Sequence, residues 1–194
     1  MYGIDPAKVP DSPCWVIDLA ALESNLKLLA SVQERAGCKI LLALKGFATW
    51  STFSLVRRYL TGATASAPHE ARLVREELGG EVHAYAPAYS DSDMAELLPL
   101  CDHLVFNSFS QWERFRGIVA KSGRSVSCGI RVNPEHREVA VELYDPCAPR
   151  SRLGVTLSQF RPELLDGLEG IHFHTLCELD SDALERTLAV VEKK

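Results

Sequence analysis

The sequence predicts an α/β protein, a parallel barrel of the (β/α)8 type represented here by six strand–helix units. Three observations carry this. Short apolar runs alternate with longer segments of helical period along nearly the whole chain, the pattern of right-handed parallel crossovers. The first core strand, from Ile40 to Lys45, is apolar on both faces, as a parallel strand covered on both sides requires. Polar residues recur after successive strands, at Lys45, Ser66, Asn107, Arg131 and His174, and would share one rim of a closed barrel. An open doubly wound sheet is the alternative.

Taken in order, residues 14–17 form a short strand after Pro10 and Pro13. Asp18 caps a helix whose stripe is Leu19, Leu22, Leu26, Leu29 and Val32, and Gly37 stops it. The strand at 40–45 is followed by a helix over 51–59, a small-residue strand at 62–66, and a helix over 69–78 ended by Gly79-Gly80. Strands follow at 82–85, 103–107, 127–133 and 170–174. Ser90 caps a helix over 93–98, and Ser108 or Ser110 caps the helix after the fourth core strand. Helical signals return at 157–165, and a last amphipathic helix spans 180–191. The 134–154 segment reads as a long loop, a length that is usually either functional or disordered.

Composition narrows the function. The chain has 194 residues, 46% hydrophobic, with net charge −5, so nucleic acid is not the expected partner and a small cation suits the surface. No apolar run is long enough to span a membrane, and the N-terminus has no basic and apolar leader pattern. Six separated cysteines with no CxxC pair indicate reduced thiols, no zinc site and a cytoplasmic location.

Lys45 closes its strand where barrels carry chemistry. Gly46 permits a turn there, and Phe47 and Trp50 would wall off water. A desolvated lysine is a usable amine nucleophile, while the alternative is an ordinary solvated lysine. Arg131 can grip a carboxylate or a ring substituent by a forked hydrogen bond, or serve as a structural ion pair. His172 and His174 share a strand face, without a third metal ligand of suitable spacing. Asp145 can receive an ammonium or make an Asx-turn before Pro146.

These runs resemble a known family. Ser12 to Asp18, Leu42 to Trp50, Gly80 to Tyr89, Phe106 to Trp112, Arg131 to Glu135, Leu143 to Val155 and His172 to Glu178 resemble the carboxynorspermidine (carboxyspermidine) decarboxylases. Those belong to the alanine-racemase-like, fold type III class of pyridoxal-phosphate enzymes. The resemblance implies a homodimer that decarboxylates a cationic polyamine precursor in spermidine biosynthesis. It implies Lys45 as the catalytic residue that carries pyridoxal 5'-phosphate. Arg131 and His174 would lie at the cofactor ring, Cys177 near the phosphate and Ser66 at the cofactor. Asp145, Glu178 and Glu135 would read the polyamine. It also implies that residues 1–18 are a strand of a second β domain, and that 19–194 are a barrel domain stopping after its sixth strand. The chain would then be an inactive fragment, or one half that pairs with a complementary C-terminal half. The competing reading is a noncatalytic, cofactor-binding or regulatory barrel that pairs with an intact decarboxylase.

Overall fold

The computed structural model describes residues 5–9, 11 and 13–194. Helix α1 (Leu19–Ala36) opens on Asp18, whose carboxylate accepts hydrogen bonds from the Ala20 and Ala21 amides at 2.9 and 3.0 Å. It closes on Gly37 at φ 63°, a left-handed cap that glycine adopts without a Cβ penalty. Six strands follow: β1 (Leu41–Ala43), β2 (Gly62–Ala65), β3 (Glu81–Tyr85), β4 (His103–Phe106), β5 (Ser127–Arg131) and β6 (Gly170–His172). Between and after them lie α2 (Phe53–Val56), α3 (Pro68–Leu73), α4 (Asp91–Leu97), α5 (Phe109–Lys121) and α6 (Ser181–Val191).

All six strands are parallel and pair in the order β1-β2-β3-β4-β5-β6. A doubly wound sheet reverses its order at a switch point, so that alternative is set aside. The strands β1 and β6 are the two edges of the sheet.

Alternation sorts the side chains. Ala63, Ala65, Val82, Ala84, Leu104, Phe106, Cys128 and Ile130 are buried on one face. They join Phe53, Val56, Val74, Met94, Leu97 and Phe115 from the helical segments in one core. Each large side chain so buried contributes about 1.5–3 kcal/mol. The other face is polar and carries Thr64, His83, Tyr85, His103, Arg131 and His172. Serine caps hold the helices against the sheet. Ser90 and Asp93 form a reciprocal capping box at α4, and the Ser108 hydroxyl accepts from the Gln111 amide at α5.

Several expectations are corrected. Residues 14–17 form no strand and Trp15 is 100% exposed, because no described strand lies beside them. The helix expected over 69–78 is α3 continued by a π-turn at Val74–Leu78. The stretch 157–165 makes only two 3-10 turns, Leu157–Gln159 and Pro162–Leu164, since Pro162 cannot continue a helix begun before it. On α1, Leu26 is buried but Leu19 and Leu29 stay exposed, so only part of the apolar stripe is covered.

Candidate active site

The C-terminal ends of the strands bring the candidate residues together. Arg131 is the last residue of β5, and Lys45 and His174 each lie two residues beyond their strands. After β1 the chain turns tightly, the Gly46 and Phe47 amides both donating to the Ala43 carbonyl at 2.9 and 3.1 Å. An open groove of about 420 Å³ is lined by Lys45, Ser66, Tyr85, Arg131, Asp145, His174 and Cys177. A separate groove on the far side of β6, lined by Leu157, Phe160, Ile171 and Val191 among others, is largely apolar and holds no comparable constellation.

Arg131 is the centre of the site. It is 5% exposed, and its Nε has no hydrogen-bond partner among the described residues. Its Nη2 donates a long bond to the His174 carbonyl at 3.4 Å. Its guanidinium lies 4.7 Å from the centroid of the Tyr85 ring, a favourable cation–π placement. Tyr85 is fixed in turn, its hydroxyl donating to Asn107 Oδ1 at 2.8 Å. Burial raises the Tyr85 phenol above its ordinary range, so the hydroxyl keeps its proton.

Asn107 fastens the long loop onto this mouth. Its Oδ1 accepts from the Gly154 amide and its Nδ2 donates to the Arg152 carbonyl, both at 2.8 Å. Gly154 sits at φ 83°, and a Cβ there would lie 2.8 Å from the Val132 carbonyl carbon. Only glycine lets the loop pass so close.

Two histidines share the groove side. Burial, then the Arg131, His174 and Lys45 charges, push the His172 imidazole down to about 4. Its Nδ1 is buried without a partner among the described residues. His174 is open by surface area but crowded on its inner side. That partial desolvation, with Lys45 and Arg131 close by, lowers its pKa as well. The His172 shift has a stability consequence. The unfolded chain takes up this proton near pH 6.5 and the folded chain only near pH 4, so stability is full above pH 6.5 and falls as pH drops toward 4. The largest contribution is about 3 kcal/mol. Urea midpoints of wild type and His172→Gln between pH 4 and 7 should diverge by this amount, with wild type the more acid-sensitive.

The other expected residues are placed less favourably. Lys45 is exposed and makes no hydrogen bond or ion pair among the described residues. Neither Phe47 nor Trp50 lines its groove, and Trp50 is 61% exposed. The expected desolvation of Lys45 is therefore corrected: no described element covers that side of β1. Ser66 is exposed, its amide donating to the Glu70 carboxylate at 2.6 Å. The Asp145 carboxylate lines the groove but is occupied. It accepts from Arg137 Nε at 2.5 Å and from the Cys147 amide at 2.8 Å, the second bond being an Asx-turn. Glu135 turns to the other side, where its carboxylate meets the Leu157 amide and Lys194 Nζ, each at 3.3 Å. Glu178 is exposed beside the groove and does not line it. Both glutamates have left-handed backbones, at φ 55° and 54°, a conformation unusual for residues bearing a Cβ. Reading by sequence missed Tyr85, although its alternation with His83 at the end of a strand puts it on the rim side.

No family model matches the chain. Curated relatives do. It is 43% identical over 182 residues to a carboxyaminopropylagmatine decarboxylase of Synechocystis. It is 40% identical over 183 residues to the carboxynorspermidine/carboxyspermidine decarboxylase of Campylobacter jejuni, and 38% over 184 residues to that of Herminiimonas arsenicoxydans. Each match takes in 94% of this chain. This chain is a relative of the carboxynorspermidine/carboxyspermidine decarboxylases. It spans about half their length, 46–49% of each relative. A crystal structure of carboxynorspermidine decarboxylase from Campylobacter jejuni, complexed with norspermidine, superposes with TM-score 0.80 at 39% identity. That match covers 90% of this chain and 44% of that one. Diaminopimelate decarboxylase from Helicobacter pylori superposes with TM-score 0.69 at 19% identity, covering 88% and 48% of the two chains, a likeness of fold alone. No described helix of this decarboxylase relative is long and apolar enough to cross a membrane.

Proposed function

We propose that this chain is the cofactor-bearing part of a pyridoxal-phosphate-dependent decarboxylase acting on a carboxylated polyamine such as carboxynorspermidine or carboxyspermidine. The observation that carries the reading is the convergence of Lys45, Arg131 and His174 on one groove. The residues suit the cofactor. Arg131 is a buried cation on the groove whose Nε has no partner among the described residues. An anionic, acceptor-rich group answers that combination. Lys45 would supply the amine that holds pyridoxal phosphate, with Arg131, His174, Cys177 and Ser66 around it. When bound, the cofactor supplies an electron-accepting ring for breakage of the bond to a carboxylate.

The chain's own groups have separate tasks. Tyr85 keeps the Arg131 guanidinium flat and aimed. His174, with its lowered pKa, presents a neutral imidazole face at neutral pH. Lys45 Nζ can take up and return a proton at the reacting carbon, since no other described group engages it. Glu178, exposed just after Cys177, would meet a distal ammonium of a bound polyamine, whereas Glu135 faces away. Residues 19–194 form the barrel part in this reading. Further strands, a second copy or a complementary half cover the β1 and β6 edges, and residues 1–18 pair with a second β domain. The chain alone is expected to be inactive, because Lys45 is open to water.

The substrate test compares CO₂ release from carboxynorspermidine, carboxyspermidine, carboxyaminopropylagmatine and diaminopimelate, using the protein that carries this chain. Preference for diaminopimelate, or release from none, would overturn the reading. Preference for carboxyaminopropylagmatine is the second reading, favoured by the 43% identity to the Synechocystis enzyme. Asp145→Asn separates loop architecture from substrate reading. Because its carboxylate is held by Arg137 and the Cys147 amide, the change is expected to destabilise by about 1–3 kcal/mol. Activity should fall by the same factor on every substrate. A loss confined to one polyamine would mark Asp145 as a specificity group instead.

A further inference from the structure

We propose that Glu81, His83 and His103 form a binding site for a borderline divalent cation of the zinc class. The three residues lie at the starts of β3 and β4, the opposite strand ends from Arg131 and His174. Register brings them together. His83 pairs directly with His103 across β3 and β4, and Glu81 is two residues before His83 on the same face. The ligand atoms lie within 4.8 Å of one another. His83 Nε2 and His103 Nε2 stand 3.0 and 4.0 Å from the same oxygen, Glu81 Oε2. Ligand atoms of a tetrahedral zinc site lie about 3.3 Å apart, so shifts of under about 1 Å in side chains complete the set.

The two imidazole rings stack with centroids 3.9 Å apart, which protonation of both would oppose. His103 makes no hydrogen bond among the described residues, and its Nε2 stands 4.0 Å from Glu81 Oε2. Lys39 grips the other Glu81 oxygen, Oε1, and so orients the carboxylate, as outer partners of metal ligands do; a cation would replace the His83 Nε2–Glu81 Oε2 hydrogen bond. Lys39 is largely solvated, which screens its charge from a cation at Oε2. A groove of about 240 Å³ beside the histidines, lined also by Ser127 and His172, provides entry and room for a water as fourth ligand. Two histidines and one glutamate with an open position are a donor set that zinc accepts.

The test uses untagged protein treated with chelator and then titrated with Co²⁺, followed by absorbance, and with Zn²⁺ by calorimetry. One metal per chain and visible bands of low-symmetry Co²⁺ are expected. His103→Ala and Glu81→Gln should each weaken binding about tenfold or more, while His136→Ala should not. Zn²⁺ should raise the melting temperature of wild type but not of His103→Gln, a half-exposed position where the variant is expected to fold. Absence of saturable binding, or binding that survives His83→Ala and His103→Ala together, would overturn the proposal. So would equal loss on His136→Ala. None of these readouts depends on decarboxylation.

Discussion

Lys45→Ala is expected to lower turnover of the protein that carries this chain by about 10³-fold or more, the scale on which removal of a nucleophile acts. The residue stands two positions beyond β1 with its amine unengaged among the described residues. Its loss should hardly change stability, since exposed lysines contribute little. That combination discriminates. With wild type, pyridoxal phosphate should give a visible band and borohydride should fix the cofactor to the Lys45 peptide. With Lys45→Ala, neither should occur. Lys45→Arg keeps the charge but not the reactive amine, and should fail as completely. A variant that lacks Lys45 and is still labelled by borohydride at wild-type level would end its role as the cofactor lysine. Cofactor labelling without CO₂ release from any substrate would favour the noncatalytic barrel.

What the sequence disclosed follows from how locally each feature is encoded. The order of strands and helices was legible because apolar runs and helical stripes are local patterns. So were the caps at Asp18, Ser90 and Ser108, where a side-chain oxygen must reach an amide two or three residues on. The rim was legible at Lys45, Arg131 and His174 because each lies at or just beyond the C-terminal end of a strand, on the same side of the sheet. Pairing and cover were not. Residues 14–17 have the composition of a strand, but a strand needs a neighbour. Asp145 looked free because its partner Arg137 is eight residues away across an irregular loop. Glu135 looked like a rim acid until the backbone turned it toward Lys194. The cluster of Glu81, His83 and His103 depends on the register of β3 against β4, which spacing along the chain does not specify.

Arg131→Met is expected to move stability and cofactor affinity in opposite directions. The wild-type guanidinium is 5% exposed, with Nε unpartnered among the described residues and one long bond from Nη2. A buried cation without an anion is destabilising by several kcal/mol, of which stacking on Tyr85 returns about 2. Methionine fills similar length without charge, so the ligand-free protein should gain about 1–3 kcal/mol in urea unfolding. Affinity for pyridoxal phosphate should fall about 10²-fold, the worth of a lost charge-assisted contact. Saturating cofactor stabilises the folded state by mass action, so the advantage of the variant should shrink or reverse as cofactor is added. A third readout is electrostatic. Arg131 is one of the charges holding the His172 imidazole down, so its removal should shift the acid limb of stability toward higher folded-state pKa and flatten it between pH 4 and 6.5. If Arg131→Met instead lost stability and left cofactor affinity unchanged, the guanidinium would be a strut of the groove and the anion would bind elsewhere.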